Sequence, residues 1–142
     1  MLRVKHLLAT KGTHVWCIDA EDPVLRAIEM MADRHIGALP VLRGTELVGI
    51  VSERDYARKV ILRGRSSAET LVWEIMTAPV ITVTPDTTVQ DCMQLVTEKR
   101  VRHLPVMEAS ELVGIVSIGD LVRAVIEEQQ ETITELERFI MS

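Results

Sequence analysis

Two four-residue stretches carry the side chains whose spacing could do chemistry: Ser52-Glu53-Arg54-Asp55 and Ser117-Ile118-Gly119-Asp120. Each places a hydroxyl three residues before a carboxylate, directly after an apolar, β-branched run, Leu47–Val51 or Leu112–Val116. At a strand-to-helix corner, Ser-x-x-Asp is a variant of the capping box. The Ser oxygen accepts a backbone N–H, and the Asp answers the positive end of the helix dipole. The same corner presents free N–H groups suited to a phosphate or a sugar oxygen. Its carboxylate could also accept two hydrogen bonds from a ribose cis-diol. The two readings are compatible, because an aspartate can cap and still face a ligand.

A second set of candidates precedes the two Leu-Pro-Val segments, Leu39-Pro40-Val41 and Leu104-Pro105-Val106. Arg100-Val101-Arg102-His103 leads into the second segment, and His35-Ile36-Gly37-Ala38 into the first. A cationic pair at a strand mouth could hold phosphate by charge-assisted hydrogen bonds; a solvated strand end beside Glu98 and Lys99 is the alternative. Catalytic patterns are missing. The four histidines His6, His14, His35 and His103 form no metal-ligand spacing, and there is no GxSxG, P-loop or GxGxxG. Neither serine has a histidine near it in sequence to activate it. The residues do not describe an enzyme.

The elements that must position these side chains repeat. Every matching position, from the Leu-Pro-Val segments to Ser-x-x-Asp, recurs at an offset of 65 residues. His14–Ile18 and Val80–Val83 are β-prone. Asp22 with Pro23, and Pro85-Asp86-Thr87, read as turns and caps before amphipathic helices that carry Ala27, Ile28 and Met31 in one half and Val89, Cys92 and Val96 in the other. Strands follow at Ala38–Leu42 and Leu47–Val51, joined by Arg43-Gly44-Thr45, and at Leu104–Met107 and Leu112–Val116. Helices then open at Ser52 and Ser117. Short leading helices carry Val4, Leu7 and Leu8 in the first half and Leu71–Met76 in the second. The fold class is thus mixed α/β (α+β): two pseudo-symmetric β-α-β-β-α repeats, residues 1–64 and 65–126, packed together as one folding unit because some 60 residues alone bury a marginal core. Residues 127–142 extend the last helix; Ile126, Gln130, Ile133, Leu136 or Glu137, and Ile140 follow helical spacing, a largely apolar stripe that wants a partner.

Composition agrees. With 47% apolar but only 3% aromatic residues in a chain of 142, the core must be aliphatic. A net charge of −5 argues against a nucleic-acid binder, and no apolar run reaches the roughly 20 residues of a membrane span. The N-terminal residues do not read as a secretory signal. Cys17 and Cys92 read as free thiols of a reducing cytoplasm.

The repeat resembles the tandem cystathionine-β-synthase-type (CBS) domain pair, or Bateman module. It does so through Ile81-Thr82-Val83-Thr84-Pro85-Asp86-Thr87-Thr88-Val89, Leu104-Pro105-Val106, Leu112–Ser117 with Asp120, and their first-half counterparts. The stretch Ser52–Val60 and the long final helix are similar to small stand-alone bacterial members. The resemblance implies clefts for adenosine-containing ligands: AMP, ADP, ATP, S-adenosylmethionine or NAD(H). Each cleft would mix Ser-x-x-Asp of one half with strand residues of the other. One would use Ser52, Arg54 and Asp55 with Ile81, Val101, Arg102 and His103; Asp55 would take the ribose, Ile81 and Val101 would flank adenine, and Arg102 and His103 would hold phosphate. The other would use Ser117, Gly119 and Asp120 with Trp16, Ile36, Gly37 and Ala38. There Trp16 offers adenine a flat face or is a strand-end residue of a dimer contact, and Gly37 and Ala38 replace the cationic pair. The resemblance also implies a homodimer and a protein partner regulated in trans. The rival is an oligomerisation platform with vestigial clefts.

Overall fold

The structure, a computed structural model, describes residues 1–12 and 14–141. Its secondary structure runs α1 (Val4–Lys11), β1 (Ile18–Asp19), α2 (Val24–Arg34), β2 (Ala38–Arg43), β3 (Glu46–Ser52), α3 (Glu53–Tyr56), α4 (Val72–Ile75), α5 (Val89–Lys99), β4 (His103–Glu108), β5 (Glu111–Ser117) and α6 (Ile118–Met141). A π-helical turn, Ala57–Ile61, continues α3. Two compact units form, one from Val15–Ile81 and one from Met1–His14 with Thr82–Ser142. Each unit therefore takes its leading helix from the other sequence repeat, which differs from the division at residue 64 expected from the repeat alone.

The reason lies in the packing of the leading helices. In the unit that contains α1, Val4 and Leu8 are buried, and a Cβ built on Gly114 would lie 2.6 Å from Leu8 Cδ2. The Val4 N–H donates to the Thr87 carbonyl at 2.9 Å. In the other unit Val72 and Ile75 of α4 are buried, and the Met76 thioether lies over Gly49. The Val72 N–H donates to the Asp22 carbonyl at 2.9 Å. Glycine stands in both strands because a leading-helix side chain occupies the space of its Cβ.

Within Val15–Ile81, β1 pairs parallel with β2, and β2 antiparallel with β3, around a core of Ile18, Val24, Ala27, Met31, Leu39, Val41 and Val51. Within the other unit β4 and β5 form the hairpin, and among the described residues only Val83 joins it, as a single parallel bridge to Val106. The strand expected over Val80–Val83 is thus reduced to one residue, and that over His14–Ile18 to Ile18–Asp19. Val83 donates to the Pro105 carbonyl and accepts from the Met107 N–H, but Pro105 has no N–H with which to continue the ladder upstream. Pro40 stands at the same place in β2.

Caps differ slightly from expectation. Pro23, with extended backbone and no side-chain cap bond, holds the N-cap of α2 in place of Asp22. Thr88 caps α5 by accepting the Asp91 N–H at 3.1 Å. Both cysteines are free. Burial pushes the Cys17 thiol up, and burial with the charge of Asp91 pushes Cys92 to about 11, so both stay protonated near neutrality. Leu121 and Ala124 anchor α6; beyond them Ile126, Ile133, Leu136, Phe139 and Ile140 are exposed.

Candidate functional site

β3 ends at Ser52, and the chain turns into α3 there because two reciprocal bonds close the corner. Ser52 Oγ accepts the Asp55 N–H at 3.1 Å, and the Ser52 N–H donates to Asp55 Oδ2 at 3.0 Å. That bond uses one carboxylate oxygen. The other, Oδ1, is held by side chains alone: Lys59 Nζ at 3.1 Å and the Thr77 hydroxyl at 3.3 Å. Lys59 also donates to the Ile75 carbonyl at 2.9 Å.

The second corner repeats the cap. The Asp120 N–H donates to Ser117 Oγ at 3.2 Å, and the Ser117 N–H to Asp120 Oδ2 at 2.8 Å. Its remaining partners differ. Lys11 Nζ, from the end of α1, stands 2.5 Å from Asp120 Oδ2, and Arg123 Nη2 2.9 Å from Oδ1. Desolvation pushes the Asp120 carboxyl up, but hydrogen bonds from Lys11 and the Ser117 backbone, with the charge of Lys11, outweigh it and hold the group below its ordinary value.

Lys11 also donates to the Ile115 carbonyl at 2.9 Å. In the other unit the matching carbonyl, Ile50, accepts the backbone N–H of Thr77 at 2.8 Å. One flexible lysine in one unit therefore does what the backbone and hydroxyl of Thr77 do in the other.

The residues before each Leu-Pro-Val segment meet the Ser-x-x-Asp corner of their own repeat. The Gly37 carbonyl accepts the Glu53 N–H at 3.1 Å, and Ala38 pairs with Ser52. The Arg102 carbonyl accepts the Ile118 N–H at 2.9 Å, and His103 pairs with Ser117. Burial first, then the positive charges of Lys11 and Arg102, push the His103 imidazole below its ordinary value, against the opposing pull of Asp120. Of the expected residues, Val15–Ile81 thus gathers Gly37, Ala38, Ser52 and Asp55, with Arg54 exposed and Ile81 half-buried near its end. In the same unit Ile36 and Trp16 pack on the core, and the Arg34 guanidinium lies 3.8 Å above the Trp16 ring. The other unit gathers Arg102, His103, Ser117 and Asp120, with Val101 half-buried. Gly119 is exposed, and a Cβ there would meet nothing closer than Ser117 Oγ at 3.6 Å. Sequence reasoning passed over Lys11, Lys59, Thr77 and Arg123. The i,i+4 and i,i+3 spacings of Lys59 and Arg123 from their aspartates were the available signals.

Two matches to the CBS domain family model cover residues 4–62 and 72–127. The chain belongs to the CBS domain family. Among its relatives is the mitochondrial CBS domain-containing protein CBSX3 of Arabidopsis thaliana, 46% identical over 134 residues, which are 91% of this chain and 65% of that protein. The chain therefore spans less than two thirds of this plant relative. A solved CBS-domain structure from Burkholderia ambifaria, of a protein named for signal transduction, is 48% identical with a TM-score of 0.83, covering 89% of this chain and 94% of the other. The CBS domain pair of protein MJ0100, solved with 5'-methylthioadenosine and S-adenosyl-L-methionine, shares the fold at a TM-score of 0.80 and 24% identity, covering 90% of this chain and 98% of that one. Among the described residues no helix is long and apolar enough to cross a membrane.

Proposed function

We propose that this CBS pair is a non-catalytic sensor of an adenosine-containing ligand, of the AMP, ADP, ATP, NAD(H) or S-adenosylmethionine class. One observation carries the reading. Each Ser-x-x-Asp aspartate keeps more partners than a helix cap uses. One bond from the Ser N–H completes the cap, while Lys59 and Thr77, or Lys11 and Arg123, hold the carboxylate through side chains alone. Side-chain partners can exchange for the hydroxyls of a ribose without unfolding the corner. The MJ0100 complex supports this at the level of the fold, which in that protein holds adenosyl ligands.

Arg102 supplies positive charge for phosphate on the side of Asp120, with the imidazole of His103 as a hydrogen-bonding neighbour, while Gly37 and Ala38 leave the Ser52–Asp55 corner with Lys59 and Arg54. Trp16 offers an apolar face already stacked on one side by Arg34. Ile36, Val101, Ile81 and Gly119 are apolar or small neighbours suited to adenine. Ligand binding acts as a signal by preferring one arrangement of the chain over another, read out in the cytoplasm by a homodimer and by a protein partner regulated in trans.

Calorimetry with AMP, ATP, NADH and S-adenosylmethionine tests the reading on the wild type and on Asp55→Ala and Asp120→Ala. Binding of one of these ligands, weakened by an aspartate substitution, is the expected result. No binding of any of them at millimolar concentration removes the sensor reading and leaves the oligomerisation platform.

A further inference from the structure

Lys11 lies outside both Ser-x-x-Asp motifs and both Leu-Pro-Val segments, yet its ammonium stands 2.5 Å from Asp120 Oδ2, closer than Arg123 at 2.9 Å. The two units solve one local problem differently. Around Asp55, the Ile50 carbonyl is closed by a backbone bridge to Thr77, donated at 2.8 Å and returned from the Ile50 N–H at 3.1 Å. Around Asp120, the Ile115 carbonyl and the carboxylate are both closed by one lysine ammonium, on a side chain that remains 39% exposed. A backbone bridge cannot leave without unravelling the strand end. A lysine can swing away.

The charges around that ammonium decide what may replace it. Arg123 pairs with Asp120, and Arg102 and His103 bring further nitrogen groups to the same corner; the facing carboxylate is Asp120. If a neutral diol takes Asp120, Lys11 keeps the uncharged Ile115 carbonyl and loses its counter-ion beside other cations. A ligand that carries its own anion restores the balance through a charge-assisted bond.

We propose that Lys11 is a specificity-determining residue: the Asp120 corner accepts a vicinal diol only together with an anionic group that takes Lys11, and so selects nucleotides over nucleosides. This rests on the ligand-binding reading above and adds to it a residue and a charge requirement. Arg102 adds to the anion's field, but Lys11 is the cation that the ligand must displace from Asp120 Oδ2.

The test is calorimetry with AMP and adenosine on an Asp55→Asn chain, which leaves Asp120 as the intact Ser-x-x-Asp carboxylate. AMP is expected to bind at least about tenfold more tightly than adenosine. Lys11→Met should bring the two within about threefold, chiefly by weakening AMP, while Lys11→Arg keeps the preference. Lys11→Gln, which retains an N–H for the Ile115 carbonyl, repeats the test if Lys11→Met does not fold by circular dichroism. An unchanged AMP-to-adenosine ratio in the Lys11 variants overturns the inference and leaves the sensor reading standing. So does binding that the wild type shows and the Asp55→Asn chain lacks. Failure of the wild type to bind AMP or adenosine also overturns the inference, whereas the sensor reading falls only if ATP, NADH and S-adenosylmethionine fail to bind as well.

Discussion

Leu8 fills the place where a side chain at position 114 would stand: a Cβ built on Gly114 comes within 2.6 Å of Leu8 Cδ2 and 3.1 Å of Cδ1. The glycine in β5 is thus a seat for α1. Gly114→Ala should destabilise the fold by about 1–3 kcal/mol through overpacking, and Leu8→Ala by about 2–5 kcal/mol through the space it vacates. Because the added methyl partly fills that space, the double variant should cost clearly less than the two single losses together. Urea unfolding of the four chains measures this. Additive losses would show that Leu8 and Gly114 are not coupled.

The two hairpins share a strand register but turn on different backbones. Gly44 takes a positive φ between β2 and β3, whereas Ala109 and Ser110, at φ of 50° and 66°, do so between β4 and β5. Two successive left-handed residues suit a type I′ turn, for which Asn-Gly is the preferred pair. L-residues other than Gly, Asn and Asp lose roughly 1–2 kcal/mol each in that region. Ala109→Asn with Ser110→Gly should therefore stabilise the chain by about 1–2 kcal/mol, read as a higher denaturation midpoint at unchanged slope. A lower midpoint would contradict the turn geometry.

His103 gives stability a pH dependence of definite sign. Its imidazole titrates below the ordinary 6.5 in the native chain, through burial first and then Lys11 and Arg102. The unfolded chain therefore binds this proton more readily than the native one. The contribution is complete above the unfolded value and is lost as pH falls from about 7 towards 5. His103→Gln should flatten that limb of the stability profile. The loss linked to Asp120, whose carboxyl is held below its ordinary 3.8, begins only at more acid pH and should persist in the variant. An unchanged slope between pH 7 and 5 would place the titration elsewhere.

How much of this was legible follows from sequence distance. The offset of 65 residues revealed both hairpins, both Ser-x-x-Asp corners and the helices α2 and α5, because those elements are built from neighbours in the chain. The leading helices obey another offset: Val4 and Leu8 correspond to Val72 and Met76, 68 residues on. The Lys11–Asp120 pair spans 109 residues, so no local spacing in the chain announces it. The β-prone Val80–Val83 lost most of its strand to the missing N–H of Pro105, a property of the partner strand that local propensity does not carry.

The tail of α6 makes the last prediction. Ile126, Ile133, Leu136 and Ile140 recur at helical spacing and are between 48% and 79% exposed, with Phe139 at 80%. Burying such a stripe is favourable in proportion to its apolar area, and a second copy of the chain supplies a matching one. The same segment carries Glu127, Glu128, Glu131, Glu135 and Glu137 against Arg138, so two tails brought together repel at low ionic strength. Salt screens that repulsion and leaves the apolar gain. Sedimentation should therefore give twice the 15.9 kDa of one chain, with dimerisation tightening as salt rises from 0.02 to about 0.3 M. Ile133→Glu with Leu136→Glu should shift the particle to the monomer mass without lowering the melting temperature of the monomer, since both side chains lie beyond the buried Leu121 and Ala124. A particle of unchanged mass in this variant would free the tail from any part in self-association.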